Sequence, residues 1–542
     1  MHTGHGWGGD FAQYLMHAQN IVEGQPYAET PYVRNPVNNN PGPPAYPPGF
    51  PLLLAPIYAA FGTAVIPMKV FIIVTFVAGL GLTAYLLRDD PPAPCALAVV
   101  AVLGFNPFLV GFTASVYSDL PFLFFVLLSL MTWQKSRAQL SSRRKMALAG
   151  LSGLLIYFAV LIRSLGVVLP ASILVYELLD QRRLTPRALV GLGTVGLALG
   201  LQTIVSMLSA GASASAGVSY YSEMVQQNLL DRLPELAGSI YQSTYFYARG
   251  IAKVVWGPAT FFIGPNISGL GVLTLLLMIG GWSHHAVTRL SSFDVFTPSY
   301  VAALLPWSFG STRYLIPVLP FCAFYAVYAL YGIRQWLQWK RPILVSGVVG
   351  ILVLLYGWAL VRNPATPSPK GALAPDAKRT YHHIRQHTSS GALIAFAKPR
   401  FVALKTGRRS VRWFKGKSER ELLGYFADAG VDYALVGPLG DSRQRTITML
   451  IENHPSRFAP TYQSTHYTLY RLVPDGEDAQ SSGKPGLPHG TRVMCAVPDS
   501  FSGTEPMRAI RSSRSSAAPK CTVPMSRIVC SRHVPSVCRR KT

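Results

Sequence analysis

The sequence predicts an α-helical polytopic membrane protein of about ten spans with a small exported C-terminal α/β domain. Three observations carry this. Half of the 542 residues are apolar or aromatic, only 13% are charged, and mean hydropathy is +0.28, which is membrane composition with soluble extras. Runs long enough to cross a bilayer, with one or no charges each, recur near residues 66–87, 95–112, 116–134, 146–163, 165–180, 188–210, 267–284, 293–308, 314–333 and 343–361. Finally, Lys and Arg gather in alternate loops: Arg88; Lys135 to Lys145; Arg182, Arg183 and Arg187; Arg289; Arg334 to Arg341. Those are the cytoplasmic loops by the positive-inside rule. The net charge of +25 therefore reports topology and tail, not a nucleic-acid groove, and no nucleic-acid partner is expected.

In order along the chain, the stretch Gly8 to Gly24 reads as an amphipathic helix, because Phe11, Tyr14, Leu15, Ala18, Ile21 and Val22 recur at helical spacing. Asp10 falls at its N-cap and Gly24 where a glycine stops it, so capping is the plain reading of Asp10. Phe50 to Leu87 holds only Lys69 as a charge and is too long for one span. Phe50 to Phe61 is expected to lie along the interface with the first span after it. By this orientation the first fifty residues, the loop 211–266 and everything after Val361 face outward. An exported N-terminus is hard to insert without an anchor, so a first membrane helix is expected to be missing ahead of the present start.

The loop 211–266 interleaves Tyr220, Tyr221, Tyr241, Tyr245, Phe246, Tyr247 and Trp256 with Asp231, Arg232 and Glu235. Such aromatics either anchor a loop at headgroup level or bind lipid or acceptor. Residues 370–473 change character. AKRTYHHIRQH reads as a helix, ALIAFA as a strand, SERELLGYFADAG as a helix closed by Gly430, VDYALVG as a strand, TITMLIENH as a helix and YTLYRLV as a strand. Past Asp475 the Pro-, Ser- and Arg-rich tail reads as disordered, with eleven bases against two acids over 481–542. Cys95 and Cys322 lie in apolar runs, and Cys495, Cys521, Cys530 and Cys538 in the tail match no metal spacing.

Charges at membrane depth ask for a reason. Asp119 opens a span on the outer side, Arg163 sits at an outer turn, and Arg313 at the outer start of another span. With Asp10 and Lys69 they bring two acids and three bases toward one membrane face. Asp119 has the plain alternative of a helix cap, and the two arginines that of snorkelling side chains. Jointly they suit an anionic lipid head group, where Arg binds phosphate as a planar fork and a carboxylate stays free as a base. Other motifs are weak. His284 and His285 lie at a cytoplasmic helix end, His382 and His383 are adjacent and not at metal spacing, and Gly437 to Gly440 is a turn without a phosphate-loop sequel.

Four motifs then stand in a telling order. Asp10 precedes Tyr14-x3-Ala18-x2-Ile21-x2-Gly24; Tyr46-Pro-Pro-Gly-x-Pro-Leu52 follows; Ser118-Asp119-x-Pro-x-x-Phe-Phe125 opens a later span; Arg313-Tyr314-x-x-Pro-x-x-Pro-Phe321 opens another. Over roughly Gly8 to Val361 the chain resembles the GT-C superfamily of membrane glycosyltransferases. It is similar to bacterial relatives of the dolichyl-phosphate-mannose–protein mannosyltransferases and of the lipid A aminoarabinose transferase. The resemblance implies a polyprenyl-phosphate sugar donor, an acceptor of unspecified kind (protein, lipid or glycan), and inverting transfer on the outer face of a plasma (inner) membrane.

It further implies Asp10 as the general base, Arg313 with Tyr314 on the donor phosphate, Lys69 and Arg163 as further phosphate candidates, and Asp119, Tyr14 and Tyr46 lining the site. Many relatives carry a second acid where Phe11 stands, and several a base where Tyr46 stands. No cofactor is expected, a divalent metal being possible without support from the sequence. The expected division is 1–65 as catalytic loop and interfacial helices, 66–361 as membrane domain, 370–473 as exported domain and 476–542 as tail. The alternative is a transporter or flippase of a lipid-linked or anionic substrate, but no paired, Gly- or Pro-broken helices appear in two halves. Ten spans are also far too many for a mere anchor of the exported domain.

Overall fold

The computed structural model describes residues 5–35, 42–89, 94–208, 233–306, 310–338, 343–363, 371–413, 418–439 and 442–473. Helix α1 (Gly9–Glu23) forms where the apolar stripe predicts it and stops at Gly24, whose φ of 67° is a left-handed conformation that glycine enters without strain. After a 3₁₀ turn at Pro43–Ala45, α2 (Gly49–Phe61) packs back onto α1. The bundle then runs through α3 (Val65–Leu86), α4 (Pro94–Phe105), α5 (Pro107–Thr113), α6 (Asp119–Ser136), α7 (Ser142–Ile162), α8 (Val168–Gln181) and α9 (Pro186–Leu208). It continues with α10 (Leu233–Trp256), α11 (Ser268–Thr288), α12 (Ser292–Leu304), α13 (Leu319–Trp336) and α14 (Ile343–Arg362).

Among the described residues seven helices are long and apolar enough to cross a membrane, or eight if a bent pair counts as one span. The outward faces carry exposed Leu97, Leu197, Leu276, Leu354 and Val361, a surface that hydrocarbon solvates and water does not. The chain is a multi-pass membrane protein. Three of the ten expected spans differ from plain crossings. The run 95–112 breaks into α4 and α5, bent by 59°. Asn106 causes the break: its Oδ1 accepts the N–H groups of Phe108 (3.0 Å) and Leu109 (3.3 Å), while Pro107 opens the new helix. The run 116–134 becomes α6, largely buried inside the bundle, and 293–308 yields only the 13-residue α12.

The expected loop 211–266 is helical from Leu233 onward as α10, with Tyr247 buried and Tyr241 and Tyr245 exposed. Tyr220, Tyr221, Asp231 and Arg232 lie outside the described residues, as does the expected tail.

Local signals explain the C-terminal part. Here α15 (Pro375–His387), β2 (Leu393–Ala395), α17 (Glu419–Ala429), β4 (Tyr433–Val436), α18 (Ser442–Asn453) and β6 (Thr468–Leu472) form where the pattern predicts them. A capping box of Ser418 and Glu421 starts α17 and left-handed Gly430 ends it. Three elements are additional: α16 (Pro399–Thr406), β3 (Arg409–Val411) and β5 (Phe458–Gln463). The sixth strand of the sheet comes from far away in sequence. Strand β1 (Tyr32–Val33), just after α1, pairs in parallel with β3, so the six-stranded sheet runs β1-β3-β2-β4-β6-β5. The first four strands in that order pair in parallel, β6 pairs antiparallel to β4, and β5 antiparallel to β6. The backbone N–H of Ser410 donates to Pro31 O at 2.9 Å and the Asn35 amide to Arg412 O at 2.8 Å, which fixes that register.

One apolar core fills the bundle together with α1 and α2, and a second fills the α/β sheet. Trp7 packs against both, and Phe401 of α16 sits buried in the first. Sheet and bundle thus meet at α1.

Candidate active site

The site begins at the first turn of α1. The helix starts two residues earlier than the capping reading of Asp10 requires. Gly8 is the N-cap and Asp10 points its carboxylate sideways. The competing interactions are ionic. Asp10 Oδ2 accepts from Arg313 Nη2 at 2.7 Å, and Oδ1 accepts from the Tyr46 hydroxyl at 2.7 Å and, at 3.4 Å, from Arg400 Nη1. Arg400 Nη1 also donates to the Tyr46 oxygen. Three distant pieces of chain converge here: the turn before α2 brings Tyr46, the 3₁₀ turn Thr312–Val318 ahead of α13 brings Arg313 and Tyr314, and α16 brings Arg400.

Each carrier is fixed by packing. Gly49 lets α2 begin against the end of α7, since a Cβ there would lie 2.6 Å from the carbonyl carbon of Leu161 and 2.7 Å from the nitrogen of Ile162. That contact seats the start of α2 against the end of α7, which Arg163 closes in extended conformation. Arg400 is sandwiched between the rings of Tyr32 (4.7 Å) and Tyr46 (5.0 Å). Arg313 lies over Tyr117 and Tyr314 at 5.6 and 5.5 Å.

A second ion pair stands behind the first. Asp119 is the first residue of α6, after Ser118 at the N-cap position, and its side chain is not a cap: Oδ1 accepts from Arg163 Nη1. The Asp119 side chain is 3% exposed and that of Arg163 15%. Tyr14 links the two pairs, its hydroxyl 3.0 Å from Ser118 Oγ, and Tyr314 stacks under Arg163 at 5.1 Å. Asp119 Oδ2 and the Tyr300 hydroxyl are buried without a hydrogen-bond partner among the described residues, a cost that a polar ligand or water would relieve. Arg163→Ala is expected to lower stability by about 3–5 kcal/mol, because it strands a buried carboxylate. Denaturant unfolding in detergent measures this, and a fully stable variant would remove the pair from the framework of the site.

The electrostatics follow from these contacts. Burial pushes the Asp10 carboxyl up, but the guanidinium groups of Arg313 and Arg400 and the hydrogen bonds from Tyr46 and Arg313 outweigh it and hold it below its ordinary value. Burial drives the Tyr46 phenol well above the usual range, so it stays a neutral donor. Tyr14 and Tyr117 are both pushed up to about 12, again by burial first and by the Asp10 charge second. Seven residues on from Asp10, burial pulls His17 down to about 4. Its Nδ1–H donates to Tyr27 O at 2.7 Å while Nε2 accepts from the Gln13 amide at 3.1 Å, so it is a neutral brace for α1.

Of the residues singled out in the sequence, Asp10, Tyr46, Arg313, Tyr314, Arg163, Asp119 and Tyr14 come together. Lys69 is buried on α3 and is not among the donors that meet either carboxylate. Arg400 is the residue that sequence reasoning missed. Its only signal is Lys398-Pro399-Arg400 after a strand, which announces a helix start and no chemistry. Two carboxylates thus face three guanidinium groups. One surplus positive charge suits an anion. The same arrangement fits a divalent cation poorly, since both Asp10 oxygens are engaged by donors and no three His, Cys, Asp or Glu converge among the described residues. His284 and His285 stay apart from the site; His285 is buried against Asp294, 2.9 Å from each carboxylate oxygen.

No protein-family model matches the chain, and no curated protein matches it in sequence. The fold is similar to solved structures. One is ArnT from Cupriavidus metallidurans bound to undecaprenyl phosphate, at TM-score 0.53 and 12% identity over 87% of this chain and 95% of that one. Another is the archaeal oligosaccharyltransferase AglB from Archaeoglobus fulgidus in complex with an inhibitory peptide and a dolichol-phosphate. It has TM-score 0.51 and 12% identity over 80% of this chain and 65% of that one. This chain shares the fold of these two structures.

Proposed function

We propose that this chain is a membrane glycosyltransferase of the GT-C kind that moves a sugar from a polyprenyl-phosphate donor to an acceptor hydroxyl on the outer face of the membrane, with inversion. The observation that carries the reading is the Asp10 carboxylate held between Arg313 on one oxygen and Tyr46 with Arg400 on the other, in a cluster with one positive charge to spare. The polyprenyl phosphates bound by the two structural neighbours support the donor class. The excess of Lys and Arg in the opposite loops supports the outward placement.

The chemistry is a single displacement. Donor phosphate enters beside Arg313 and draws its guanidinium, with Arg163 and Tyr314 adjoining. Asp10 Oδ2, released from Arg313, then accepts the proton of the acceptor hydroxyl. The acceptor oxygen attacks the anomeric carbon from the face opposite the phosphate, and the bond from that carbon to the phosphate oxygen breaks. Its electron pair leaves on polyprenyl phosphate, whose growing charge Arg313 neutralises. Attack opposite the leaving group inverts the anomeric centre.

The test is incubation of the purified full chain with a panel of radiolabelled polyprenyl-phosphate sugars and membrane extract. One donor is expected to pass label to extract components with release of polyprenyl phosphate. Failure of every donor would overturn the transferase reading. Label crossing proteoliposomes with its sugar–phosphate bond intact would establish a carrier instead.

A further inference from the structure

We infer that Arg400, carried by the C-terminal α/β domain, is a positioning residue for Asp10, so that the transfer site is complete only when that domain is seated on the first loop. The inference rests on the transferase reading and adds a part that the membrane domain does not supply.

The geometry is a relay. Arg400 Nη1 donates to the Tyr46 oxygen, and the Tyr46 hydroxyl donates to Asp10 Oδ1 at 2.7 Å. Arg313 grips the other oxygen, Oδ2, at 2.7 Å. An incoming phosphate competes with Asp10 for Arg313, because a phosphate oxygen is an equally good partner for the fork. Once Arg313 turns to phosphate, only the Tyr46–Arg400 side still holds the carboxylate. It holds Oδ1 and leaves Oδ2 aimed at the space Arg313 has vacated, where an acceptor hydroxyl would sit. Without that second grip the freed carboxylate would rotate, and proton transfer depends on its direction.

Arg400 is fixed well enough for the task. Its side chain is 11% exposed, with the guanidinium sandwiched between Tyr32 and Tyr46. Its Cδ and Nη1 lie 3.5 Å from where a Cβ on Gly9 would project. The adjacent Phe401 packs against Trp7 at 5.6 Å and Phe11 at 6.1 Å, and the β1–β3 pairing clamps the first loop to the sheet. The groups facing Asp10 are Arg313 from the turn before α13, Arg400 from α16, Tyr46 from the turn before α2, Tyr14 from α1 itself and Tyr117 ahead of α6, with Asp119 and Arg163 behind them. Of the cations among these, Arg400 alone belongs to the C-terminal part.

The test is the pH dependence of kcat and of donor KM for the full chain and the variants Arg400→Gln, Arg400→Lys and Tyr46→Phe, with the donor identified by the panel. Loss of a cation beside a base raises the base's pKa, so Arg400→Gln is expected to move the acid limb of kcat to higher pH by about one unit, a tenfold effect on that limb. Its kcat should fall about tenfold or more, with donor KM within about threefold. Arg400→Lys should bring the acid limb back toward wild type, a recovery that a packing role would not give. Tyr46→Phe keeps the ring sandwich and removes the relay hydroxyl. It should reproduce the Gln phenotype, and it decides the matter if Arg400→Gln does not fold. Wild-type acid limbs and kcat in the folded variants would overturn the inference while leaving the transferase reading standing. A wild-type chain that transfers from no donor would instead remove the reading beneath it.

Discussion

Asp10→Asn is expected to lower kcat for transfer by about 10²–10⁴-fold, the usual contribution of a positioned base, while donor affinity holds or improves. The asymmetry follows from the contacts. Asn keeps the shape and one acceptor oxygen for the Tyr46 hydroxyl, but it cannot take a proton. The Arg313 fork also loses its carboxylate and is left open to phosphate. Steady-state transfer and donor binding, measured on the same preparation, separate the two effects. A variant with full kcat would remove Asp10 as the base.

Arg313→Ala should act mainly on the donor, weakening its binding by about 2–5 kcal/mol if a desolvated phosphate contact is lost. It acts on the base too. Burial raises the Asp10 carboxyl, and Arg313 is the foremost of the groups that bring it down again. Without that guanidinium the carboxyl rises, so the variant needs a higher pH to keep Asp10 ionised, and its acid limb moves the same way. Donor titration across pH distinguishes this from a general loss of fold: affinity should fall at every pH, while the residual rate shifts its profile upward. Unchanged donor affinity would count against the phosphate assignment.

How much of this was legible depends on the range of each interaction. The helix at Gly9–Glu23, its glycine stop and most elements of the C-terminal sheet follow from local pattern, because side-chain period and turn residues act within a few positions. Asp10, Tyr46, Asp119 and Arg313 could be nominated because motifs in a fixed order name them. What Asp10 and Asp119 do could not be read locally. Each sits in the first turn of its helix, one or two residues past the N-cap, and is held by a guanidinium from elsewhere in the chain. Arg400 is 390 residues from its partner and no periodicity points to it. The two residues of β1 are too short a run to read as a strand, and they become one because the edge of a sheet is offered to them. The break at Asn106-Pro107 was written in the sequence, as an amide acceptor and a missing N–H at the same point.

That borrowed strand sets a timetable for biogenesis. Tyr32 pairs with Ser410, and Arg400 is made 390 residues after Asp10. At about 5–20 residues per second of synthesis, the two are separated by about 20–80 s. Through that interval the first loop waits with its sheet partner still unmade, and the cluster around Asp10 closes only after the C-terminal α/β domain has been made.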